Sequence, residues 1–201
     1  MEKLTLLHRA LTGAPSLKYM PKRILNLGCG HSPLKSDADV QYINVDAGVK
    51  GELIFNFDIT KTPYPFPDKD FDEIYFFHTI EHIPEEQHAT LLCEFHRVLK
   101  DMGRICLAYP EFKKIAQNYL DNKNDDRQFW KATIYGRGLT EWDRHKALMD
   151  TEEFTLFVRS CGLKVVASHP EPRQEFNTIT ILEKGEPTLT YESLMEEEFK
   201  C

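Results

Sequence analysis

The sequence alternates short apolar runs with longer segments in which apolar residues recur every three or four positions. Each short run has the length and composition of a buried strand, and the longer segments have the pattern of amphipathic helices. The seven short runs cover residues 23–27, 42–45, 53–57, 73–77, 104–108, 163–167 and 176–182. Strands that alternate with helices form a mostly parallel sheet with helices on both faces. The seventh run follows the sixth after a short turn, so we predict an α/β fold with seven strands and an antiparallel last strand.

Two of the helices have boundaries that the sequence marks. The first is predicted to begin at Pro84, a residue type common at the first helical position, and to be stopped by Gly103. The second is predicted to begin at Asp150 or at the next residue, with Glu153 spaced to close a capping box. It is predicted to end at Gly162, because glycine is favoured just after a helix.

The length of the chain, 201 residues, suits one domain with a full hydrophobic core. No linker divides it, and we predict a single domain over residues 1–201. Within this domain we assign residues 1–21 to an N-terminal lead-in and 186–201 to an acidic tail. Residues 111–150 form a long, aromatic-rich connection, which we interpret as an insertion that caps the substrate side of the sheet.

The net charge and the cysteine content limit the possible binding partners of the protein and its cellular location. The net charge of -7 gives no electrostatic basis for tight, nonspecific binding of nucleic acid. The five cysteines are odd in number and include no C-x-x-C pair, which is typical of reduced thiols in a cytosol. No apolar run approaches the roughly 20 residues needed to span a bilayer. We therefore predict a cytoplasmic protein without a membrane partner, and the sequence leaves its oligomeric state open.

The loop after the first predicted strand reads ILNLGCGHSP. Gly28 and Gly30 allow a tight turn there and the close approach of a ligand. Asp46 ends the second strand, 16 residues after Gly30, where a carboxylate can accept hydrogen bonds from both hydroxyls of a ribose. Asp58 follows the third strand, and either its side chain or the backbone of Ile59 could meet an adenine edge. These positions predict a nucleoside pocket at the carboxyl ends of the strands.

Residue 33 distinguishes two kinds of nucleoside ligand. A dinucleotide-binding fold would have a third glycine there, where a helix N-terminus receives a pyrophosphate. The sequence has Pro33 instead. We therefore predict a nucleoside cofactor without phosphates.

The chain resembles the class I S-adenosylmethionine-dependent methyltransferases, and within them the small type 11 group. The resemblance rests on ILNLGCG, on Asp46, on PFPDKDFDEIYFFHTIEHI and on EFHRVLKDMGRICLAYP, in that order over residues 22–110. The later segments FTLFVRSCGLKVV and EFNTITILEKG resemble the final helix and strands of the family. The resemblance implies a Rossmann-like sheet, S-adenosylmethionine as cofactor and methyl transfer as the reaction.

The resemblance also implies a set of cofactor-binding residues. They are Asn26, Gly28, Cys29, Gly30, Asp46, Asp58, Ile59, Phe77 and His78. One of them departs from the family pattern, because the family usually carries an acidic residue where this chain has Asn26. The amide can still orient the loop, but it brings no charge near the sulfonium, so cofactor binding is expected to be weaker.

Residues 78–82 read HTIEH, a spacing that on one helix would place two histidines on one face beside a glutamate. That arrangement would predict a zinc hydrolase. However, strand signals run up to Phe77, and Pro84 disfavours helical geometry at Ile83. The sequence also has no Cys/His cluster that would complete a tetrahedral site. We therefore interpret HTIEH as the turn after the fourth strand, beside the methyl-transfer site, and predict no metal.

A hydroxyl acceptor would need a general base, whereas an amine acceptor need only be neutral. His82, Glu81 and His78 are candidates by position, because histidine titrates near neutral pH. His145 is a further candidate, since the resembling family often has a histidine near this point on the acceptor side. Glu81 could instead cap the following helix. The sequence does not choose among these.

Acceptor recognition is predicted in the cap, where arginines could bind a phosphate or carboxylate and aromatic rings could stack on a ring or sugar. The candidate residues are Tyr135, Arg137, Trp142, Arg144 and His145. The D-P-P-Y-type signature expected of amino-methylating DNA enzymes is absent. We therefore predict a small-molecule acceptor, such as a metabolite, a saccharide or a natural-product intermediate, rather than nucleic acid.

Two other functions share the predicted pocket. The first is a protein that binds S-adenosylmethionine or S-adenosylhomocysteine without catalysis, which Asn26 motivates. The second is aminopropyl transfer, which would want additional carboxylates around a polyamine and is disfavoured by the basic residues of the cap.

Overall fold

Seven strands form one sheet in the computed structural model, which describes residues 20–123 and 126–185. The strands are β1 (Lys22–Leu27), β2 (Val40–Val45), β3 (Ile54–Phe55), β4 (Phe71–Phe77), β5 (Leu99–Pro110), β6 (Leu163–Glu171) and β7 (Gln174–Lys184). Their order is β3-β2-β1-β4-β5-β7-β6. Strands β1 to β5 pair in parallel, and β7 is antiparallel to both of its neighbours. The predicted mostly parallel sheet with an antiparallel last strand is confirmed.

The strand order reverses direction at β1. Chain connections lead from β1 outward to β2 and β3, and then back to β4 on the other side of β1. The connection after β1 and the connection after β4 therefore run in opposite directions across the sheet, and ligands bind beside such a reversal, at the carboxyl ends of the strands.

The structure contains four α-helices in its described part. They are α1 (His88–Val98), α2 (Phe112–Leu120), α3 (Arg127–Tyr135) and α4 (Thr151–Ser160). Within the described residues, the connections from β1 to β2, from β2 to β3 and from β3 to β4 contain no helix. All four of these helices therefore follow β4.

The first predicted helix has different ends in the structure. A short 3₁₀ turn (Glu85–Gln87) precedes α1, and Leu99, with a ψ of 139°, is already extended. Gly103, which we predicted to stop the helix, therefore lies inside β5. A Cβ at Gly103 would meet the Leu99 side chain at 2.7 Å and the Asp72 carbonyl at 2.9 Å. Its small size serves close packing against β4 and not helix termination.

The second predicted helix, α4, has the ends that the sequence marks. The Asp150 carboxylate accepts hydrogen bonds from the backbone N–H groups of Glu152 and Glu153, as an N-cap does. After the helix, Gly162 adopts a φ of +72°. A residue with a side chain rarely adopts that conformation, which explains the stop at this position.

The hydrophobic core lies between one face of the sheet and helices α1 and α4. The helices contribute Phe95 and Val98 from α1, and Phe154 and Val158 from α4. They pack with side chains from the strands: Leu25, Leu27, Ile74, Phe76, Ile105 and Leu107. Alternate residues of β4 show the strand period, since Ile74 and Phe76 are fully buried whereas Phe77 is exposed. The sheet is therefore rigid at the point where its loops form the crevice.

The cap connects β5 to α4 and contains α2, α3 and a short 3₁₀ turn (Glu141–Asp143). Its last residues return to the turn after β4, where the Glu81 carbonyl accepts hydrogen bonds from the N–H groups of Lys146 and Ala147. The cap is thereby fixed to the carboxyl end of β4. Residues 1–19 of the predicted lead-in and the predicted acidic tail lie outside the described residues. Among the described residues, no helix is long and apolar enough to cross a membrane.

Candidate functional site

A cavity of about 450 Å³ opens at the carboxyl ends of the parallel strands. Six of the nine predicted cofactor-binding residues line it: Gly28, Gly30, Asp46, Asp58, Ile59 and His78. They come from the loops after β1, β2, β3 and β4, which the parallel sheet brings to the same edge. The volume lies in the range of small-molecule sites in proteins.

The two glycines after β1 have different tasks. Gly28 has a φ of +68°, and a Cβ there would collide with the side chain of Thr79, so this glycine allows two loops to pack together. Gly30 has a φ of +53°, and a Cβ there would meet nothing within 4 Å. The backbone at Gly30 therefore borders open space, where a ligand can approach closely.

Asp46 already organises the cavity wall. Its Oδ2 accepts a hydrogen bond of 2.8 Å from the Gly30 N–H, and its Oδ1 accepts bonds of 2.8 Å from the N–H groups of Gly48 and Val49. A carboxylate offers about four acceptor positions, so one remains for a ligand in this arrangement. To accept hydrogen bonds from both ribose hydroxyls, as the sequence predicts, Asp46 would have to lose one of its hydrogen bonds from the backbone N–H groups.

The loop after β3 contributes the Asp58 carboxylate and a backbone segment that is held in place. Asp58 Oδ1 accepts hydrogen bonds from the N–H and the hydroxyl of Thr60, at 2.9 and 2.7 Å. The Ile59 carbonyl accepts a bond of 2.8 Å from the buried hydroxyl of Tyr64. The bond from Tyr64 holds Ile59 in place at the cavity wall.

Three predicted cofactor residues do not line the cavity. Asn26 is buried and donates from Nδ2 to Asn44 Oδ1 at 2.9 Å, so its amide supports the neighbouring strand. Phe77 packs against Tyr75, with ring centroids 5.4 Å apart, because both side chains point to the same face of β4. Burial raises the pKa of the Cys29 thiol to about 11, with Asp46 adding to the effect, so the group is neutral near pH 7.

His78 begins the turn after β4 in a conformation that is uncommon for a residue with a side chain. Its φ is +48°, and its N–H donates to the Ala108 carbonyl at 2.7 Å. Its Nδ1 lies 3.8 Å from Glu81 Oε1, and its Nε2 lies 3.4 Å from Glu171 Oε2. The nearby Glu81 carboxylate raises the pKa of His78 and outweighs the opposing effect of burial. Residues held in such backbone conformations cluster at functional sites.

A second cavity, of about 410 Å³, adjoins the first. It lies between the turn after β4, helix α3 of the cap and the start of β7. The two cavities share four lining residues: His78, His82, Arg137 and Asp143. The two cavities are therefore direct neighbours.

Three of the four candidate bases, Glu81, His82 and His145, meet at the boundary of the cavities. The Nδ1 atom of His82 lies 3.1 Å from the Arg144 carbonyl, and the rings of His82 and His145 are 4.8 Å apart. Glu81 is only 2% exposed. Burial lowers the pKa of His145, partly offset by the nearby Glu81 carboxylate. A half-buried histidine with a lowered pKa is neutral near pH 7 and can accept a proton.

The structure separates the predicted acceptor residues. Arg137 lines both cavities, and His145 lines the second. Trp142 lines the first cavity, where its indole packs near Gly48 with the Lys146 ammonium 5.9 Å above the ring. Tyr135 is 70% exposed and lines neither cavity. Arg144 also lines neither cavity. Its backbone carbonyl hydrogen-bonds the His82 ring.

Several lining residues escaped the sequence analysis. In the first cavity they include His31, Thr79 and Lys146. In the second they include Phe129, Gln174, Phe176 and Asn177, which come from α3 and β7. The sequence pattern marks EFN only as part of the final strand, so it gives no signal for the residues of this segment.

The model of the Methyltransferase domain family matches residues 25–107, which span β1 to most of β5. A search of curated proteins gave no match. The family match contains the glycine loop, Asp46 and the HTIEH turn, and so it covers most of the first cavity.

Solved structures share the fold at low sequence identity. A protein from Pyrococcus horikoshii OT3 is 16% identical, with a TM-score of 0.57 over 91% of this chain and 88% of that chain. An S-adenosylmethionine-dependent methyltransferase from Methanosarcina mazei is 14% identical, with a TM-score of 0.57 over 84% of this chain and 95% of that chain. The 1,6-didemethyltoxoflavin-N1-methyltransferase of Burkholderia thailandensis, with bound 1,6-didemethyltoxoflavin and S-adenosylhomocysteine, is 15% identical, with a TM-score of 0.53 over 92% and 78%.

Proposed function

We infer that this chain is a class I S-adenosylmethionine-dependent methyltransferase of the type 11 group, because the model of the Methyltransferase domain family matches residues 25–107 and solved methyltransferases share the fold. From this premise we propose that it methylates oxygen or nitrogen of a small-molecule acceptor in the second cavity. The observation that carries the proposal is the shared wall of the two cavities, formed by His78, His82, Arg137 and Asp143. Methyl transfer requires donor and acceptor to lie side by side, and this wall brings two sites of suitable size together.

The cofactor is S-adenosylmethionine, and the first cavity has the features that it requires. The Gly30 backbone borders open space, and Asp46 has an acceptor position to offer to a ribose hydroxyl. Asp58 and Ile59 stand where an adenine edge would be held. When bound, the cofactor supplies a methyl group already activated by the sulfonium, so the chain itself has to align the acceptor and exclude water.

The second cavity fits an acceptor with an apolar or ring-shaped body and a polar end. Phe129 and Phe176 form an aromatic wall, with ring centroids 5.9 Å apart. The opposite side carries His78, His82 and His145. The likeness to the Burkholderia thailandensis enzyme supports a small molecule as acceptor, and the net charge of -7 argues against nucleic acid.

We assign the reactive end of the acceptor to the histidine side of the cavity. His145, which burial keeps neutral, is the first candidate to take a proton from a hydroxyl or an ammonium group. His82 is the second, because it lines both cavities. Glu81 is buried beneath them and would position the imidazoles. A cytoplasmic location, proposed from the cysteine pattern, agrees with this reaction.

Crystals of the protein with S-adenosylhomocysteine, soaked with candidate acceptors, test the proposal together with an assay of S-adenosylhomocysteine release. We expect the nucleoside in the first cavity and the acceptor in the second. Binding of the nucleoside without turnover of any acceptor would favour the rival function, binding without catalysis. Asn26, which motivates that rival, bonds to Asn44 and does not line the cavity.

A further inference from the structure

Three side chains from two distant segments meet at the boundary of the two cavities. Glu81 and His82 lie in the 3₁₀ turn after β4, and His145 lies near the end of the cap. One carboxylate oxygen and one nitrogen of each imidazole all lie within 4.8 Å of one another. Small rotations of the rings would bring these three atoms around one point.

The Glu81 carboxylate lacks a partner that its burial would require. The residue is 2% exposed, and its Oε2 has no hydrogen-bond partner within residues 20–123 and 126–185. The other oxygen, Oε1, lies 3.8 Å from His78 Nδ1, which is long for a hydrogen bond. A buried carboxylate is costly unless a cation or a donor meets it, so the free oxygen indicates a missing positive group.

The His82 imidazole is held as metal ligands usually are. Its Nδ1 lies 3.1 Å from the Arg144 carbonyl, which leaves Nε2 free to bind. The His145 ring packs edge-on against it, with ring centroids 4.8 Å apart, and the His145 N–H donates to the Tyr135 carbonyl at 3.1 Å. Metal-binding histidines commonly donate one ring N–H to a backbone carbonyl, since this fixes the ring and directs the other nitrogen to the ion.

We propose that Glu81, His82 and His145 bind one divalent transition-metal ion. Two imidazoles and one carboxylate suit ions such as Zn²⁺, Mn²⁺, Fe²⁺ or Co²⁺. Three protein ligands leave coordination positions open, as in catalytic rather than structural sites. All three residues line the second cavity, so the open positions face the acceptor. An oxygen atom of the acceptor would fill them, a role that rests on the proposed function, whereas binding of the ion does not.

This site differs from the helical zinc site that the sequence argues against. HTIEH does form a turn and not a continuous helix. The turn pairs Glu81 and His82 with His145 from the cap, and His78 stands apart between Glu81 and Glu171. The objection to a single metal-binding helix therefore does not apply to these three residues.

The test is a titration of metal-stripped, tag-free protein with Zn²⁺ by calorimetry, and with Co²⁺ by its visible absorption. We expect one ion per chain, and Co²⁺ absorption that indicates nitrogen ligands. His145→Ala and His82→Ala should each weaken binding by about tenfold or more, given that loss of even a supporting contact costs 10–100-fold. His169→Ala is the matched control, because the ring of this exposed histidine contacts the neighbouring Pro170 carbonyl and lines neither cavity, so binding should be unchanged.

Glu81→Gln keeps the size of the side chain and removes its charge, so it should also weaken binding if the fold is retained by circular dichroism. Absence of saturable binding, or unchanged binding in both histidine variants, would overturn the site. Affinity for S-adenosylhomocysteine is measured on the same samples of wild-type protein. Loss of metal binding with nucleoside binding intact would refute the metal site alone, and the reverse result would refute the cofactor pocket alone.

Discussion

Single residues in this molecule often serve both the fold and the site. Asp46 holds three backbone N–H groups from two loops, and the same carboxylate faces the cofactor cavity. Glu81 holds the returning cap through its backbone carbonyl, while its side chain faces the second cavity. Substitutions at such positions need controls that separate loss of binding from loss of structure.

Asp46→Ala should weaken binding of S-adenosylmethionine by about 1.5–3 kcal/mol, the range for hydrogen bonds to a charged group. Isothermal calorimetry measures this change, and the unfolding temperature shows whether the two tethered loops remain in place. Asp101→Ala removes an exposed carboxylate that pairs with Lys69, far from the cavity, and should leave the affinity unchanged. Equal affinities in wild type and Asp46→Ala would refute the role of this carboxylate.

His145→Ala should leave the affinity for S-adenosylmethionine within about 0.5 kcal/mol, because the residue does not line the first cavity. Methyl transfer should fall roughly 10²–10⁴-fold if His145 is the base, and less if it only positions the acceptor. The same measurement on His82→Ala compares the two candidates, since one base should dominate. Similar losses in both variants would instead agree with a shared metal ion, and full activity in His145→Ala would exclude it from the reaction.

The ends of the strands and helices determine where the residues of the site lie. The turn after β1 and the turn after β4 pack against each other through Gly28 and Thr79, and the carboxyl ends of both strands border the cofactor cavity. Helix α4 follows the cap insertion directly. The insertion therefore ends at Asp150, the N-cap residue of this helix.

The two glycines of the loop after β1 should respond differently to the same substitution. Gly28→Ala should lower the unfolding temperature, because its Cβ would collide with Thr79 in a backbone conformation that already disfavours a side chain. Gly30→Ala should cost less stability, since its Cβ meets no protein atom within 4 Å, but should weaken cofactor binding by blocking the open space. Thermal unfolding and calorimetry on both variants distinguish the effects. The assignment fails if Gly30→Ala binds as wild type does.

Asp150→Ala should reduce the free energy of unfolding by about 0.5–2 kcal/mol at neutral pH, the usual cost of losing an N-cap. Asp150→Asn retains an acceptor and should cost less. Lys113, 2.8 Å away, lowers the pKa of Asp150 below 3.8, with opposition from desolvation. The carboxylate therefore stabilises the fold above pH 3.8, and its contribution is lost as the pH falls through the lowered pKa. Urea unfolding at several pH values measures this effect. The difference in free energy of unfolding between wild type and Asp150→Ala should shrink in acid. A difference that does not change with pH would contradict the role of the Asp150 charge.

The whole molecule consists of a sheet that carries one cavity and a cap that closes a second beside it. Aromatic contacts join the two parts, since Phe129 and Trp130 of α3 pack on Phe176 of β7, with ring centroids 5.9 and 5.2 Å away. The wall shared by the cavities therefore depends on the cap being seated on the last strands.

S-adenosylhomocysteine should stabilise the whole chain, because it binds the folded state alone. At a ligand concentration of about 100 times Kd, the gain should be roughly 2.7 kcal/mol, which would raise the unfolding temperature by several degrees. Differential scanning calorimetry measures the shift. Asp46→Ala at the same ligand concentration should show a smaller shift, and a nucleoside that leaves the unfolding temperature of the wild type unchanged would contradict the proposed pocket.

The sequence by itself determined the seven strands, their mostly parallel direction and most of the first cavity. Strand and helix periods are local, and parallel strands necessarily end at one edge, so Gly28, Gly30, Asp46 and Asp58 were predicted to meet there and do line one cavity. The end of α1 was predicted wrongly at Gly103, because Leu99 enters β5 before the glycine is reached and tertiary pairing with β4 overrides the local signal.

The tertiary structure decided everything that depends on contacts between distant segments. Asn26 and Phe77 turn away from the cavity, because strand alternation and partners such as Asn44 and Tyr75 set their direction. Likewise, only the folded cap brings His145 to His82, and only the final hairpin brings Phe176 to the second cavity. No local pattern encodes such encounters, because they depend on how the cap folds back onto the sheet.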